Sequence, residues 1–279
     1  MDAPTPEQNA ACRPAMVTLG PIQVSRLILG GNPFSGFAHQ TRERDTEMLD
    51  WYTMDRVKEA YRLAEEAGVT AHIGRADQFT ARALHEFQRE GGNLDWIAQT
   101  CPLVGGFDIG INLARQYHAP CCFLHGGEMD LRVAQGATDE VFDAVQRIKD
   151  AGIAVGAAGH RVETIRWEAE HLDLDFFMAS YYNMEDRTRQ AQRNYEIDED
   201  YRAEDRDAMC ALIQELPAPV IHYKVLAAGR NDPREAFAYV AGAYRPGDAV
   251  CVGIFTKDNP GMIREDVYLL EAALRARGK

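Results

Sequence analysis

Short apolar runs recur along the chain at nearly regular intervals, and this alternation most constrains the fold. Amphipathic stretches separate the runs, such as Asp55–Ala67 and Asp139–Ala151, each followed by a glycine that can end a helix. Strands that alternate with helices are typical of parallel β/α units. Eight such units in 279 residues predict a single (β/α)8 TIM barrel. The predicted strands are Arg26–Gly30, Thr70–Ile73, Trp96–Gln99, Cys121–His125, Ala154–Ala157, Phe176–Ser180, Val220–Tyr223 and Ala249–Gly253.

The start of the chain differs in composition from the rest. Residues 1–16 have neither a basic start nor an apolar stretch, so we expect a disordered leader, followed by one barrel domain over 17–279. The net charge of −13 argues against nucleic acid and anionic membrane surfaces as partners. Six scattered cysteines without a CxxC pair indicate reduced thiols and a cytoplasmic location. The oligomeric state stays open.

Several segments resemble the aldo-keto reductase superfamily in order and spacing. VSRLILGGNPFSG resembles its first barrel strand, EEAGVTAHIGRA its second, CCFLHG its fourth and PVIHYKVLAAGR its seventh. The resemblance covers about residues 17–270 and implies the family's barrel. It also implies that the catalytic Asp, Tyr and Lys positions hold Gly74, Phe79 and Thr100, and that only the His is kept, as His125. A phenylalanine has no proton to donate, so the family's usual proton transfer is not expected here.

The resemblance also places the family's nicotinamide site on residues without polar side chains. The positions that bind the amide hold Ala158, Gly159 and Ala179. A buried amide without partners costs ~1–3 kcal/mol per unsatisfied group, so NADP is the less favoured cofactor. The residues that could still bind it are Tyr223, by stacking, and Arg230 and Lys257, by contacting phosphate.

Polar residues near the C-terminal ends of the strands form the candidate site, because active sites of these barrels lie at that end. The candidate catalytic residues are His72, His125, Glu128, His160, Tyr182 and Lys224, and the candidate substrate-binding residues are Asn32, Arg75 and Asn183. Some have a structural alternative. His72 could be a core histidine, and Lys224 either a phosphate-positioning residue or a catalytic amine whose pKa is lowered by burial. The histidines expected on the surface are His39, His85, His118 and His171.

Strand parity refines this set. If Tyr223 faces the barrel interior, His222 faces the helices and has a structural role. Two connections are longer than their neighbours, from residue 32 to about 53 and from 183 to about 204. Both emerge at the C-terminal face, where we expect either lids or solvated insertions.

Imidazole and carboxylate groups at one end of a barrel are also suitable metal ligands. The predicted ligands of a divalent Zn, Mn or Fe ion are His72, His125, Glu128 and His160. No compact motif such as HExxH supports this prediction.

The residues leave three functions open, because this barrel hosts many chemistries. The first is an enzyme of carbohydrate metabolism that acts on a small polar carbonyl or sugar-derived substrate by non-redox acid/base or metal-assisted chemistry, as a lyase, epimerase or hydrolase. The second is an NADP-dependent oxidoreductase with a rearranged proton donor, such as Tyr182 or His125. The third is a catalytically silent binding protein. The expected partner is a small molecule.

Overall fold

The computed structural model describes residues 12–278, and its main feature is a closed barrel of eight parallel strands in chain order. A two-stranded antiparallel hairpin precedes the barrel, and the last barrel strand pairs with the first to close it. The strands are β1 (Met16–Leu19) and β2 (Ile22–Ser25) in the hairpin, then β3 (Leu27–Gly30), β4 (Ala71–Arg75), β5 (Asp95–Gln99), β6 (Cys121–Leu124), β7 (Ala154–Gly159), β8 (Phe176–Ser180), β9 (Val220–Tyr223) and β10 (Ala249–Gly253). All eight predicted strands are confirmed to within two residues at each end.

Helices follow the strands and surround the barrel. They are α1 (Arg42–Trp51), α2 (Met54–Glu66), α3 (Gln78–Arg89), α4 (Gly106–Gln116), α5 (Gly126–Gln135), α6 (Asp139–Asp150), α7 (Val162–His171), α8 (Ala203–Ile213), α9 (Pro233–Ala243) and α10 (Met262–Ala276). The single (β/α)8 barrel predicted from the sequence is therefore confirmed. Within residues 12–278, no helix has the length and apolarity that crossing a membrane requires.

Side chains alternate between two cores along each barrel strand. Ile28, Phe123 and Met178 pack inside the barrel, whereas the residues between them pack beneath the surrounding helices. His222 belongs to the outer layer, where it contacts the Tyr181 hydroxyl at 2.9 Å and Asp248 at 3.1 Å. The prediction that His222 faces the helices is thus confirmed.

The hairpin closes the N-terminal end of the barrel. Val17, Leu19 and Val24 join the interior cluster from below. The turn depends on Gly20, whose φ is +55° and where a Cβ would lie 2.7 Å from the Cβ of Ala154. This hairpin was not predicted from the sequence.

The residues just before the hairpin are held against the barrel. The backbone N–H of Arg26 donates to the Ala15 carbonyl at 2.8 Å, and the Ala15 N–H donates to Glu271 Oε1 at 3.1 Å. Residues 12–16 of the predicted leader thus include Ala15, which is hydrogen-bonded to the barrel. The first part of that leader, residues 1–11, lies outside the described residues.

Candidate functional site

A cavity of about 500 Å³ opens at the C-terminal ends of the strands, on the side of β3, β4, β9 and β10. Its inner end is polar and is lined by Arg75 from β4, Gln99 from β5 and Tyr223 from β9. Its outer part runs over β10 toward α10 and is mostly apolar. The main residues there are Met48, Cys251, Ile254, Phe255, Met262 and Leu269.

Three charged or polar side chains from three connections meet at the inner end. The Lys224 Nζ, just after β9, lies 3.2 Å from His39 Nε2. The other ring nitrogen, His39 Nδ1, lies 2.7 Å from Glu199 Oε1, and Tyr201 donates its hydroxyl to Glu199 Oε2 at 3.0 Å. Asn32 Nδ2 approaches His39 Nε2 at 3.4 Å. Because two donors face Nε2 and a carboxylate faces Nδ1, His39 carries its proton on Nδ1.

Burial shifts the pKa of both basic groups downward. Burial lowers the pKa of His39 to about 4, and the nearby Lys224 ammonium acts in the same direction. Burial lowers the pKa of Lys224 to about 8, opposed by Glu199 and assisted by Arg187 and Arg193. His39 is therefore neutral at pH 7, and Lys224 titrates close to physiological pH.

The connection 183–202, between β8 and α8, covers the other half of the barrel mouth. Arg187 is buried and lies 2.6 Å from Glu185, and it donates to the Ala191 carbonyl at 2.8 Å. Gly127 makes this approach possible, since a Cβ there would lie 2.1 Å from the Ala191 oxygen. This connection separates the histidines beneath it from the open cavity.

His125 lies beneath this cover and caps a helix. Its Nδ1 accepts from the backbone N–H of Glu128 at 3.3 Å, at the first turn of α5. Its own backbone N–H donates to Thr100 Oγ1 at 2.9 Å. Burial, together with the charge of Arg187, lowers the pKa of His125 to about 3. The neutral ring is suited to capping, because it offers an acceptor to a helix N-terminus.

His160, at the start of the connection after β7, forms a pair with a buried carboxylate. Its Nδ1 lies 2.8 Å from Asp130 Oδ2, and Asp130 also accepts from the backbone N–H groups of His160 and Arg161. Burial lowers the pKa of His160 to about 4. The ring lies 5.8 Å, centroid to centroid, from that of Tyr223, whose hydroxyl donates to the Gly159 carbonyl at 3.4 Å. Tyr223 thus separates the His160–Asp130 pair from the cavity it lines.

The four residues predicted to bind a metal do not come together. His72 lies outside the barrel wall, where Nδ1 contacts the Leu29 carbonyl at 3.1 Å and the ring packs 5.0 Å from that of Tyr61. Glu128 points to Arg132, with contacts of 3.0 and 3.2 Å. Among residues 12–278 no group of three or more His, Cys, Asp and Glu side chains has a metal-binding arrangement. The predicted metal site is therefore wrong, because β4 parity turns His72 outward and the α5 turn directs Glu128 away.

The remaining substrate and catalytic candidates divide between cavity and core. Asn32 and Arg75 line the cavity, and Arg75 also contacts Asp77 at 2.9 Å. Tyr182 is buried behind the mouth and accepts from Asn231 Nδ2 at 2.9 Å. Asn183 lies behind it, with its backbone N–H directed at Asp205. Neither Tyr182 nor Asn183 is among the residues that line the cavity.

The two basic residues predicted to contact phosphate lie outside the cavity. Arg230 donates to the His39 carbonyl at 2.9 Å and stacks over the Tyr201 ring at 4.4 Å. Lys257 pairs with Glu47 at 2.7 Å in a separate surface depression. Of the three predicted cofactor-binding residues, only Tyr223 lines the cavity.

Several residues of the mouth were not predicted from the sequence. His39 was expected on the surface, but its side chain is mostly buried and lines the cavity. Glu199 and Arg187 lie in a charged connection without helical or strand periodicity, which gave no signal for their positions. Asp130 lies five residues after His125 in the segment HGGEMD, and this spacing was the feature of the sequence from which its place near the site could have been predicted.

No protein-family model and no curated protein sequence matches the chain. Solved structures do match it. PA4992 of Pseudomonas aeruginosa, whose name marks it as a candidate aldo-keto reductase, is 16% identical, with 95% of this chain and 99% of that chain covered and a TM-score of 0.62. A mutant of Gox0644 in complex with NADPH is 11% identical, with 94% and 93% covered and a TM-score of 0.58.

A protein of a different name shares the barrel as well. The phospho-2-dehydro-3-deoxyheptonate aldolase of Thermotoga maritima is 13% identical, with 95% of this chain and 73% of that chain covered and a TM-score of 0.54. At such identities the likeness concerns the fold. The predicted resemblance is confirmed at that level: the chain has the (β/α)8 barrel of the aldo-keto reductases, with a strongly diverged sequence.

Proposed function

We propose that this protein is an enzyme that performs non-redox acid–base chemistry on a small polar carbonyl or sugar-derived compound, as a lyase or isomerase. One observation carries the proposal: a lysine amine, a neutral imidazole and a tyrosine side chain line the same inner end of the cavity. These residues are Lys224, His39 and Tyr223. The Lys224 amine titrates close to neutral pH, where proton transfer by a side chain is efficient, and the neutral His39 ring offers it an acceptor.

The shape and lining of the cavity support a small substrate. About 500 Å³ is within the usual range of ligand pockets. At the inner end, Arg75, Gln99 and Asn32 can orient hydroxyl, carbonyl or carboxylate groups. The apolar outer part excludes water and strengthens these interactions.

A nicotinamide dinucleotide does not fit the residues present. The residues at the positions where the resemblance places the amide are small and apolar. The nearby Ser180 hydroxyl already donates a hydrogen bond to the Tyr182 carbonyl at 2.8 Å. At the outer end the cavity is lined by the carboxyl groups of Asp258, Glu265 and Asp266. Arg44, the basic residue there, is paired with Asp258 and Glu47. A diphosphate would meet carboxyl groups at this end instead of free cations, which is unfavourable.

The test is exchange of carbon-bound hydrogen in D2O. The protein is incubated, without nicotinamide nucleotides, with a panel of trioses, pentoses, hexoses and 2-oxo acids, and 1H NMR follows exchange next to the carbonyl and any new product. We expect exchange or product with at least one compound. Lys224→Met should lower the rate by roughly 10²–10⁴, whereas Lys257→Met, outside the cavity, should leave it unchanged. Absence of exchange and of product with every compound would contradict the proposal.

The second candidate is a nicotinamide-dependent reductase, which is favoured by the NADPH complex of Gox0644 on the same barrel. We expect weak or no NADPH binding, for the reasons given above. Fluorescence titration with NADPH tests this directly. A dissociation constant in the low micromolar range or below would favour the reductase over the proton-transfer enzyme.

A further inference from the structure

Lys224 differs from the other lysines in the described part of the chain. Lys58, Lys149 and Lys257 each form an ion pair with a carboxylate. Lys224 lines the cavity, and among residues 12–278 the only polar atom in hydrogen-bond contact with its Nζ is His39 Nε2. A partly buried ammonium without a carboxylate in contact is costly, so its amine form is favoured.

The backbone at Lys224 is also unusual. Its φ is +59°, in the left-handed region, and His39 has a φ of +55°. For a non-glycine residue this conformation costs ~1–2 kcal/mol. Such outliers are concentrated at functional sites, where the surrounding structure holds them. Two facing residues, His39 and Lys224, both adopt it at the point where their side chains meet.

From this geometry we propose that Lys224 is a nucleophile that forms an imine with the substrate carbonyl, and that His39, oriented by Glu199, shuttles the protons. The inference rests on the proposed function insofar as it assumes a carbonyl substrate. The His39 ring accepts a proton from the Lys224 nitrogen, and the Glu199 carboxylate orients the ring from its other side. Other activated nucleophiles have the same order of nucleophile, base and orienting group.

The step balances without a co-reactant. His39 Nε2 takes one proton from the Lys224 ammonium, and the amine lone pair attacks the carbonyl carbon while the C=O π electrons move to oxygen. A second proton passes from nitrogen to that oxygen. His39 then returns the first proton to the hydroxyl, which leaves as water while the nitrogen lone pair forms the C=N bond. Ammonium and carbonyl thus become a protonated imine and water, and the imine withdraws electrons from the adjacent carbon as a lyase or isomerase requires.

The charges around the amine are consistent with this role. Facing Lys224 are Glu199, Glu185, Arg187 and Arg193 from the connection 183–202, His39 from the first connection, Cys251 from β10, and His125 and His160 from beneath the cover. With a pKa of about 8, roughly a quarter of Lys224 is neutral at pH 7.5, against about one part in a thousand for an ordinary lysine.

Reductive trapping tests the imine. Wild-type protein is incubated with dihydroxyacetone or glycolaldehyde and sodium cyanoborohydride, which reduces an imine to a secondary amine. Peptide mapping by mass spectrometry then locates the lysine whose mass has increased by that of the probe minus one oxygen atom. At pH 7.5 we expect Lys224 to be modified at least roughly 10-fold faster than Lys257 in the same sample, with a rate that rises with a midpoint near pH 8. Modification of Lys224 no faster than Lys257 would overturn the proposal, and this comparison needs no variant.

Variants then test the relay. His39→Phe removes the acceptor and should slow modification of Lys224 at least 10-fold, while labelling of Lys257 stays unchanged as an internal control. Glu199→Gln tests a positioning residue: it should slow modification and move the midpoint to lower pH, because the carboxylate no longer favours the ammonium. Unchanged rates and midpoints in both variants would refute the relay.

The outcomes separate the two proposals. Trapping at Lys224 without exchange or turnover on any compound of the panel would support the imine and refute the proposed function. Turnover that survives in Lys224→Met, without preferential trapping at Lys224 in the wild type, would refute the imine and support the proposed function.

Discussion

Replacement of His72 by leucine should invert the stability order of wild type and variant between neutral and acid pH. His72 is only 1% exposed, and burial lowers its pKa from 6.5 to about 3. Because the folded pKa lies below the unfolded one, its contribution to stability is present above pH 6.5 and is lost as the pH falls toward 3. From the two pKa values, the contribution of His72 to the free energy of unfolding falls by about 2 kcal/mol at pH 5 and by about 3 kcal/mol at pH 4.5.

At pH 7 the variant is the less stable protein. His72→Leu removes the hydrogen bond to the Leu29 carbonyl and disturbs the packing against Tyr61, which together cost about 1–2 kcal/mol. The free energies of unfolding should therefore cross between about pH 5 and pH 6. Urea denaturation of both proteins at half-unit steps from pH 7.5 to 4.5 measures this directly. If the difference between the two free energies of unfolding stayed constant with pH, the conclusion that His72 is buried in its neutral form would be refuted.

Three further perturbations have defined outcomes. Asp130→Ala should lower the free energy of unfolding by about 3–5 kcal/mol in urea denaturation, since it leaves the His160 and Arg161 N–H groups buried without an acceptor; a loss below 1 kcal/mol would contradict this. His118→Gly should stabilise the protein by about 0.5–1 kcal/mol, because His118 is exposed with a φ of +55° just after α4; a lower melting temperature would be the opposite result. Gly127→Ala should displace the connection 183–202 and speed its cleavage in limited proteolysis, and an unchanged cleavage rate would show that the connection tolerates the methyl group.

The barrel was predictable because its signals are local. Each strand is a short apolar run, and the glycines after Asp55–Ala67 and Asp139–Ala151 mark the ends of helices within a residue or two. Strand parity placed His222 correctly. Applied to β4, where Ala71 and Ile73 face inward, the same parity turns His72 outward and removes one predicted metal ligand.

The mouth was harder to predict, because contacts there join residues that are far apart in sequence. His39 and Glu199 are 160 positions apart, and His39 and Lys224 are 185 apart. None of these contacts has a periodic signature, since the connections that contribute them are irregular. The sequence identified Lys224 as a possible catalytic amine, but not the histidine and glutamate beside it.

The hairpin β1–β2 also determines how molecules enter and leave. Because Val17, Leu19 and Val24 occupy the lower opening, a small molecule enters and leaves the cavity through the passage at the opposite end. That passage is bordered by the first connection, through His39, and by the connection 183–202. A molecule bound in the cavity must therefore leave through this passage before another can enter.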